Sequence, residues 1–233
     1  MFFIFMPIAD NLNAIMNKIA AAAKRSERDP SSVKLVVATK TIEIERIQEA
    51  VSAGATILGE NRVQEAKEKI EKLGAVAHWH LIGHLQSNKA KYAVKLFNMI
   101  HSVDSLELAT ELDKQAAKIH KVQDVLIEVS IAGEANKAGV AVQDAAAVIQ
   151  EAAKLKNISV KGLMTIPPFL DDPEAVRPYF RMLRELAASI AKANIPGLSM
   201  QELSMGMSGD FEVAVEEGAT MVRVGTAIFG ERK

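Results

Sequence analysis

Short β-branched or apolar runs recur along this chain, each followed by a longer Ala/Glu/Lys-rich segment with helical spacing. No other feature restricts the fold as much. The runs fall at 35–40, 56–60, 78–83, 99–103, 125–130, 160–165, 202–208 and 221–224. Helical segments lie between them at 44–53, 63–73, 89–96, 106–119, 142–155, 175–193 and 211–217, and one more opens the chain at about 8–28. Eight strands alternating with helices and preceded by an extra N-terminal helix match a (β/α)8 TIM barrel. A doubly wound open sheet is the competitor, yet no Gly-x-Gly-x-x-Gly follows the first run, where a dinucleotide would need it.

The 233 residues suit one barrel domain over 1–233, since such barrels often use about 200–250 residues as a single unit. Residues 1–7 are expected to be an extension, disordered or non-native. Met1-Phe2-Phe3-Ile4-Phe5-Met6 is too short for a signal peptide and lacks a basic flank. No run approaches the roughly 20 apolar residues of a membrane helix. With 28 basic against 29 acidic residues there is no global field to attract nucleic acid or anionic lipid. The absence of cysteine excludes disulfides, thiolate zinc sites and thiol nucleophiles. The expectation is a cytoplasmic monomer without nucleic-acid or membrane partners.

In a barrel, function gathers where strands end and βα loops begin. Those ends are Lys40, Glu60-Asn61, His84, Asp104-Ser105, Thr165-Ile166-Pro167-Pro168, Ser208-Gly209 and Gly225-Thr226. A desolvated lysine at position 40 would offer an amine for Schiff-base formation. On position alone, a solvated lysine that ends the strand comes first. Ser208-Gly209-Asp210 enters a helix, with Asp210 suited to its cap or first turn, and Gly225-Thr226 follows the last strand. Phosphate sites on barrels often use the loops after strands seven and eight, which favours an anion site over two ordinary capped turns. Arg223 shares strand parity with Gly225, so it faces the barrel interior and needs an acceptor. The acceptor is either a carboxylate such as Glu128 or Glu202, or a ligand atom. His78, His80 and His84 lack a carboxylate at metal-ligand spacing, so core or hydrogen-bonding roles are expected, with Trp79 on the opposite face. The Lys/Glu run at 65–72 looks like a solvated helix face.

Several segments together resemble the pyridoxal phosphate homeostasis proteins (the YggS/PROSC type), which are similar to the barrel domain of bacterial alanine racemase. They are Ala38-Thr39-Lys40-Thr41, Gly59-Glu60-Asn61-Arg62-Val63-Gln64-Glu65, Trp79-His80-Leu81-Ile82-Gly83-His84-Leu85-Gln86-Ser87-Asn88-Lys89, Ser102-Val103-Asp104-Ser105, Gly162-Leu163-Met164-Thr165-Ile166-Pro167-Pro168, 203–210 and 223–230. The resemblance runs from Ala38 to Gly230. It implies an alanine racemase N-terminal type of barrel that holds pyridoxal 5′-phosphate (PLP) as a covalent aldimine on Lys40. It also implies Ser208, Gly225 and Thr226 around the phosphate with Met207 beside them, Arg223 against the pyridine nitrogen and Asn61 near the ring. One departure is Thr41-Ile42-Glu43 where the family commonly has a proline soon after the lysine.

An arginine at the ring nitrogen keeps that nitrogen unprotonated and weakens the electron sink. A racemase of this fold also needs a tyrosine opposite the lysine. Tyr92 and Tyr179 fall in helical segments, and no β domain completing a racemase site is expected beyond the barrel. The implied function is intracellular PLP (vitamin B6) homeostasis without strong catalysis, with PLP-dependent apo-enzymes as partners. The alternatives are a PLP-dependent amino-acid racemase and a PLP-free barrel enzyme acting on a phosphorylated metabolite.

Overall fold

The structure, a computed structural model, describes residues 7–133 and 138–230. Eight parallel strands pair in a closed ring: β1 (Lys34–Ala38), β2 (Ile57–Glu60), β3 (His78–Leu81), β4 (Met99–Val103), β5 (Gln123–Ser130), β7 (Ile158–Met164), β8 (Glu202–Ser204) and β9 (Met221–Val224). Closure runs through β4 on β5, and β9 pairs with β1 from Lys34↔Met221 to Val37↔Val224. The remaining strand, β6 (Val140–Ala141), adds to the end of β5 outside the ring. Its two residues carry too little pattern to show in the sequence. The expected extension at 1–7 falls, apart from Pro7, outside the described residues.

The helices that cover the ring are α1 (Ile8–Arg25), α2 (Ile44–Ser52), α3 (Val63–Leu73), α4 (Ala90–Leu96), α5 (Leu106–Ala117), α6 (Val142–Ala152), α7 (Arg177–Lys192), α8 (Phe211–Glu216) and α9 (Thr226–Phe229). Each long one buries a stripe at helical spacing; α1 turns Ile8, Leu12, Ile15, Ile19 and Ala22 inward. Strand residues alternate between two apolar layers. Val37, Leu58 and Trp79 face the helices, whereas Val36, Ile82, Met99, Leu126, Met164 and Met221 fill the barrel interior. Arg223, His80, His101 and Ser204 share the inward parity and bring polar groups into that interior.

Three strand ends fall two or more residues short of the sequence expectation, the third strand stopping at Leu81 instead of residue 83. The first strand stops at Ala38, two residues before Lys40, and Thr41 takes a positive φ of 62°. The seventh run extends only to Ser204, because Gly206, at φ 92°, turns the chain out of the sheet. A Cβ at Gly206 would stand 2.5 Å from the Ala214 Cβ, so only glycine lets this loop pack onto α8.

Candidate functional site

The βα loops enclose a cavity of about 320 Å³ at the C-terminal end of the barrel. Lys40, Asn61, Met207, Ser208, Arg223, Gly225 and Thr226 all line it, though they come from four widely separated stretches of chain. Its volume is at the lower end of the range of small-ligand sites. Its apolar wall, formed by Ile82, Ile166, Phe169, Leu170 and Phe229, was only partly legible beforehand. Phe169 is 87% exposed and follows the Pro167-Pro168 turn, where no periodicity marks an inward direction.

The floor on one side is the turn after β8. The Asp210 carboxylate accepts the Met207 N–H at 2.6 Å, and the Phe211 N–H bonds to the Met207 carbonyl at 2.9 Å. Asp210 thus occupies the cap position of α8, but its side chain braces the preceding loop and makes no bond into the helix. Burial raises its pKa against the Met207 N–H and the Arg223 charge. The Gly225 N–H donates to the Ser208 hydroxyl oxygen at 3.4 Å, which ties this loop to the one after β9. At Gly225 a Cβ would lie 2.9 Å from the Ala38 carbonyl oxygen. Glycine therefore lets the end of β9 approach the end of β1, and so brings Thr226 towards Lys40. In α9 the Ile228 and Phe229 N–H groups bond to the Gly225 carbonyl, and Thr226 at its start lines the cavity.

Arg223 is 5% exposed, and neither expected carboxylate bonds to it. Its Nη1 donates to Ser204 Oγ at 2.5 Å and its Nη2 to the Thr165 carbonyl at 2.9 Å. Glu202, two residues before Ser204 on β8, is engaged by Lys34 and Thr220 instead. Burial pushes the Arg223 pKa down to about 10, opposed by the charges of Glu128 and Asp210. Beyond Ser204 the polar chain continues: Ser204 Oγ to His101 Nδ1 at 2.9 Å, and His101 Nε2 to His80 Nδ1 at 2.9 Å. Burial holds both imidazoles neutral, with His80 pushed down to about 3 and His101 well below its usual range. His80 fulfils the hydrogen-bonding expectation, and no cluster of three metal-ligating side chains occurs among the described residues.

Glu60 and Thr165 stand at strand ends, but their parity, that of Leu58 and Leu163, turns them outward. Thr165 Oγ1 donates to the Val129 carbonyl at 2.8 Å. Glu60 meets Lys69 of α3, which is only 6% exposed, so the 65–72 run is not wholly a solvated face. Lys69 Nζ donates to Glu60 Oε1 at 2.7 Å, to Glu65 Oε1 at 2.7 Å and to the Thr39 carbonyl at 2.6 Å. Glu65 Oε1 also accepts the Thr41 N–H. Burial raises the Glu60 pKa more than the bonds from Lys69 and Thr39 lower it. Burial also acts upward on Glu65, but the Lys69 and Thr41 bonds outweigh it and its pKa ends lowered. The peptide groups on both sides of Lys40 are therefore held by one buried ammonium–carboxylate knot.

Glu128, inward on β5, is buried, and its pKa is raised to about 6 by burial and by Asp104, against Arg223 and His84. A carboxyl raised in the folded state adds stability that is fully present below its ordinary value of 4.5 and lost as pH rises through about 6. Glu128→Gln removes this dependence. The variant is expected to gain about 2 kcal/mol relative to the parent between acid and neutral pH, measured by denaturant unfolding at several pH values. Parallel stability–pH curves for the two proteins would refute the assignment.

The family model for the alanine racemase N-terminal domain matches residues 11–233. The chain is 46% identical over 229 residues to the pyridoxal phosphate homeostasis protein of Aquifex aeolicus (strain VF5), covering 98% of this chain and all of that one. The structure of PipY of Synechococcus elongatus PCC7942 with PLP bound superposes with a TM-score of 0.83. It is 38% identical and covers 96% of this chain and 100% of that one. Alanine racemase of Clostridium difficile 630, at 17% identity and a TM-score of 0.75, shares the fold over 96% of this chain and 57% of its own.

Proposed function

The chain belongs to the alanine racemase N-terminal domain family and, within it, to the pyridoxal phosphate homeostasis proteins, and on that premise we propose that it holds PLP on Lys40 and takes part in intracellular PLP homeostasis. One observation carries the reading: a lysine, a buried arginine and a two-loop anion cradle converge on one cavity. A bound PLP supplies an aldehyde that condenses reversibly with a primary amine. Lys40 would provide that amine from a half-buried position at the cavity wall. Ser208, Gly225 and Thr226 would bind the phosphate through hydroxyl and N–H groups, with Met207 beside them. Arg223 would donate to the pyridine nitrogen, and Asn61 would border the ring.

The same residues favour a carrier over a catalyst. A guanidinium keeps the ring nitrogen an acceptor, which weakens carbanion stabilisation. Neither tyrosine of the sequence borders the cavity: Tyr92 is on α4 and Tyr179 on α7. Asp210, the carboxyl that does border it, is committed to the Met207 N–H. The proposed setting is the cytoplasm, as one cofactor-binding unit and a monomer, with PLP-dependent apo-enzymes as recipients. Among the described residues no helix is long and apolar enough to cross a membrane.

The test is the visible spectrum of the purified protein with added PLP, followed by borohydride reduction and peptide mass mapping. A visible band and an adduct at Lys40 are expected. A colourless protein without adduct would favour a PLP-free enzyme acting on a phosphorylated metabolite. Exchange of an amino acid's α-proton in deuterated water, dependent on Lys40, would instead favour a racemase. Ser208→Ala is expected to weaken binding of pyridoxamine phosphate, which carries the phosphate but no aldehyde, roughly tenfold, as for one charge-assisted hydrogen bond. Unchanged affinity in a fluorescence titration would remove Ser208 from the phosphate site.

A further inference from the structure

Buried polar groups inside a barrel lined by Val36, Met99, Leu126 and Met164 cost free energy unless each finds a partner. The chain Arg223–Ser204–His101–His80 crosses that interior from β9 through β8 and β4 to β3, with every link between 2.5 and 2.9 Å. Its proton positions follow from what each group can do. A guanidinium only donates, so Ser204 Oγ accepts from Arg223. Ser204 is fully buried, and the acceptor recorded within reach of its hydroxyl proton is His101 Nδ1. His101 is then an acceptor at Nδ1, and as a neutral ring it carries its proton on Nε2 and donates to His80 Nδ1. All the donors point the same way, from the cofactor cavity towards His80.

We infer that Ser204 and His101 are positioning residues that orient the Arg223 guanidinium, so that it presents a fixed donor to a ligand ring atom that can only accept. The inference rests on the cofactor reading and deepens it by naming groups that do not line the cavity. Ser204 holds Nη1 and the Thr165 carbonyl holds Nη2, which fixes the plane of the guanidinium. His101 fixes Ser204 in turn, because its Nδ1 lone pair accepts the hydroxyl hydrogen bond and leaves the oxygen lone pairs to Arg223. A protonated imidazole would break the chain, and the burial of His101 and His80 disfavours that second cation.

The test begins with the PLP-free protein carrying isotope-labelled histidine. Long-range proton–nitrogen NMR at neutral pH is expected to show His101 as the neutral tautomer with its proton on Nε2. Ser204→Ala should convert that signal into a tautomer mixture, while Ser204→Thr, which keeps the hydroxyl, should retain it. With ring-labelled PLP bound, the parent and Ser204→Thr should show an unprotonated pyridine nitrogen in one environment. Ser204→Ala should shift or broaden that signal and retain PLP roughly tenfold less tightly, the loss expected of one hydrogen bond to a charged group. A parent His101 with its proton on Nδ1 would overturn the chain's direction without needing any variant to fold. Ser204→Ala with an unchanged ring-nitrogen signal and unchanged retention would overturn the positioning role. A parent that takes up no PLP would sink the cofactor reading and the ring-nitrogen role together, and is recognised separately from either result.

Discussion

Lys40→Ala is expected to abolish the visible band that PLP gives on binding, together with any borohydride-stable adduct. Noncovalent binding of pyridoxamine phosphate should survive at close to parental strength. The reason is a division of labour within the cavity. Lys40 stands on the loop after β1, whereas the anion cradle is built from the loops after β8 and β9, which the Met207–Asp210 and Ser208–Gly225 bonds hold together. The proposed covalent bond is thus separable from the proposed phosphate contacts, and Ser208→Ala should show the reverse pattern. Absorption spectroscopy reads the first effect and fluorescence titration the second. If Lys40→Ala still formed a reducible adduct, another amine would be the attachment point. If it lost the amine analogue as well, Lys40 would have to be part of the phosphate site.

The second large effect concerns Lys69. Lys69→Met should destabilise the fold by about 3–5 kcal/mol, because removal of one member of a buried ion pair leaves the other charge unpaired. Glu60 is fully buried, and one of its carboxylate oxygens already lacks a partner. For a chain of this size such a loss is expected to lower Tm by roughly 10 °C. The double variant Lys69→Met/Glu60→Gln should recover part of the loss, since a neutral amide is cheaper to bury than a lone carboxylate. Thermal and denaturant unfolding of the four proteins in this cycle would check it, and a fully additive double variant would contradict the knot. Because Lys69 also holds the Thr39 carbonyl and, through Glu65, the Thr41 N–H, the single variant should slow adduct formation at Lys40 even where the protein remains folded.

Much of this protein is determined by its sequence alone. The alternation of β-branched runs with amphipathic helices specifies the barrel, because each short run pairs only with neighbours and each helix has one apolar stripe to bury. The site was legible for the same reason. In such a barrel functional groups collect at strand ends, and Lys40, Asn61, Ser208, Arg223, Gly225 and Thr226 all fall at or beside one, which is why they line one cavity.

Pairings between distant segments were decided only by the tertiary structure. Helical spacing puts Lys69, three residues after Ala66 and four before Leu73, on the buried stripe of α3 and Lys67 and Lys72 off it, but names no partner for the buried charge. The helix's rotation against β2 buries one and leaves the others on the surface. Likewise the sequence offers Arg223 a carboxylate or a ligand atom as its acceptor, by the usual rule for buried cations. The barrel instead closes Ser204 and the Thr165 carbonyl against it, 19 and 58 residues away in the chain. Local pattern encodes which face of an element is apolar, because periodicity repeats along the chain. Which polar group meets which across a closed sheet depends on register and closure, and no local repeat carries that information.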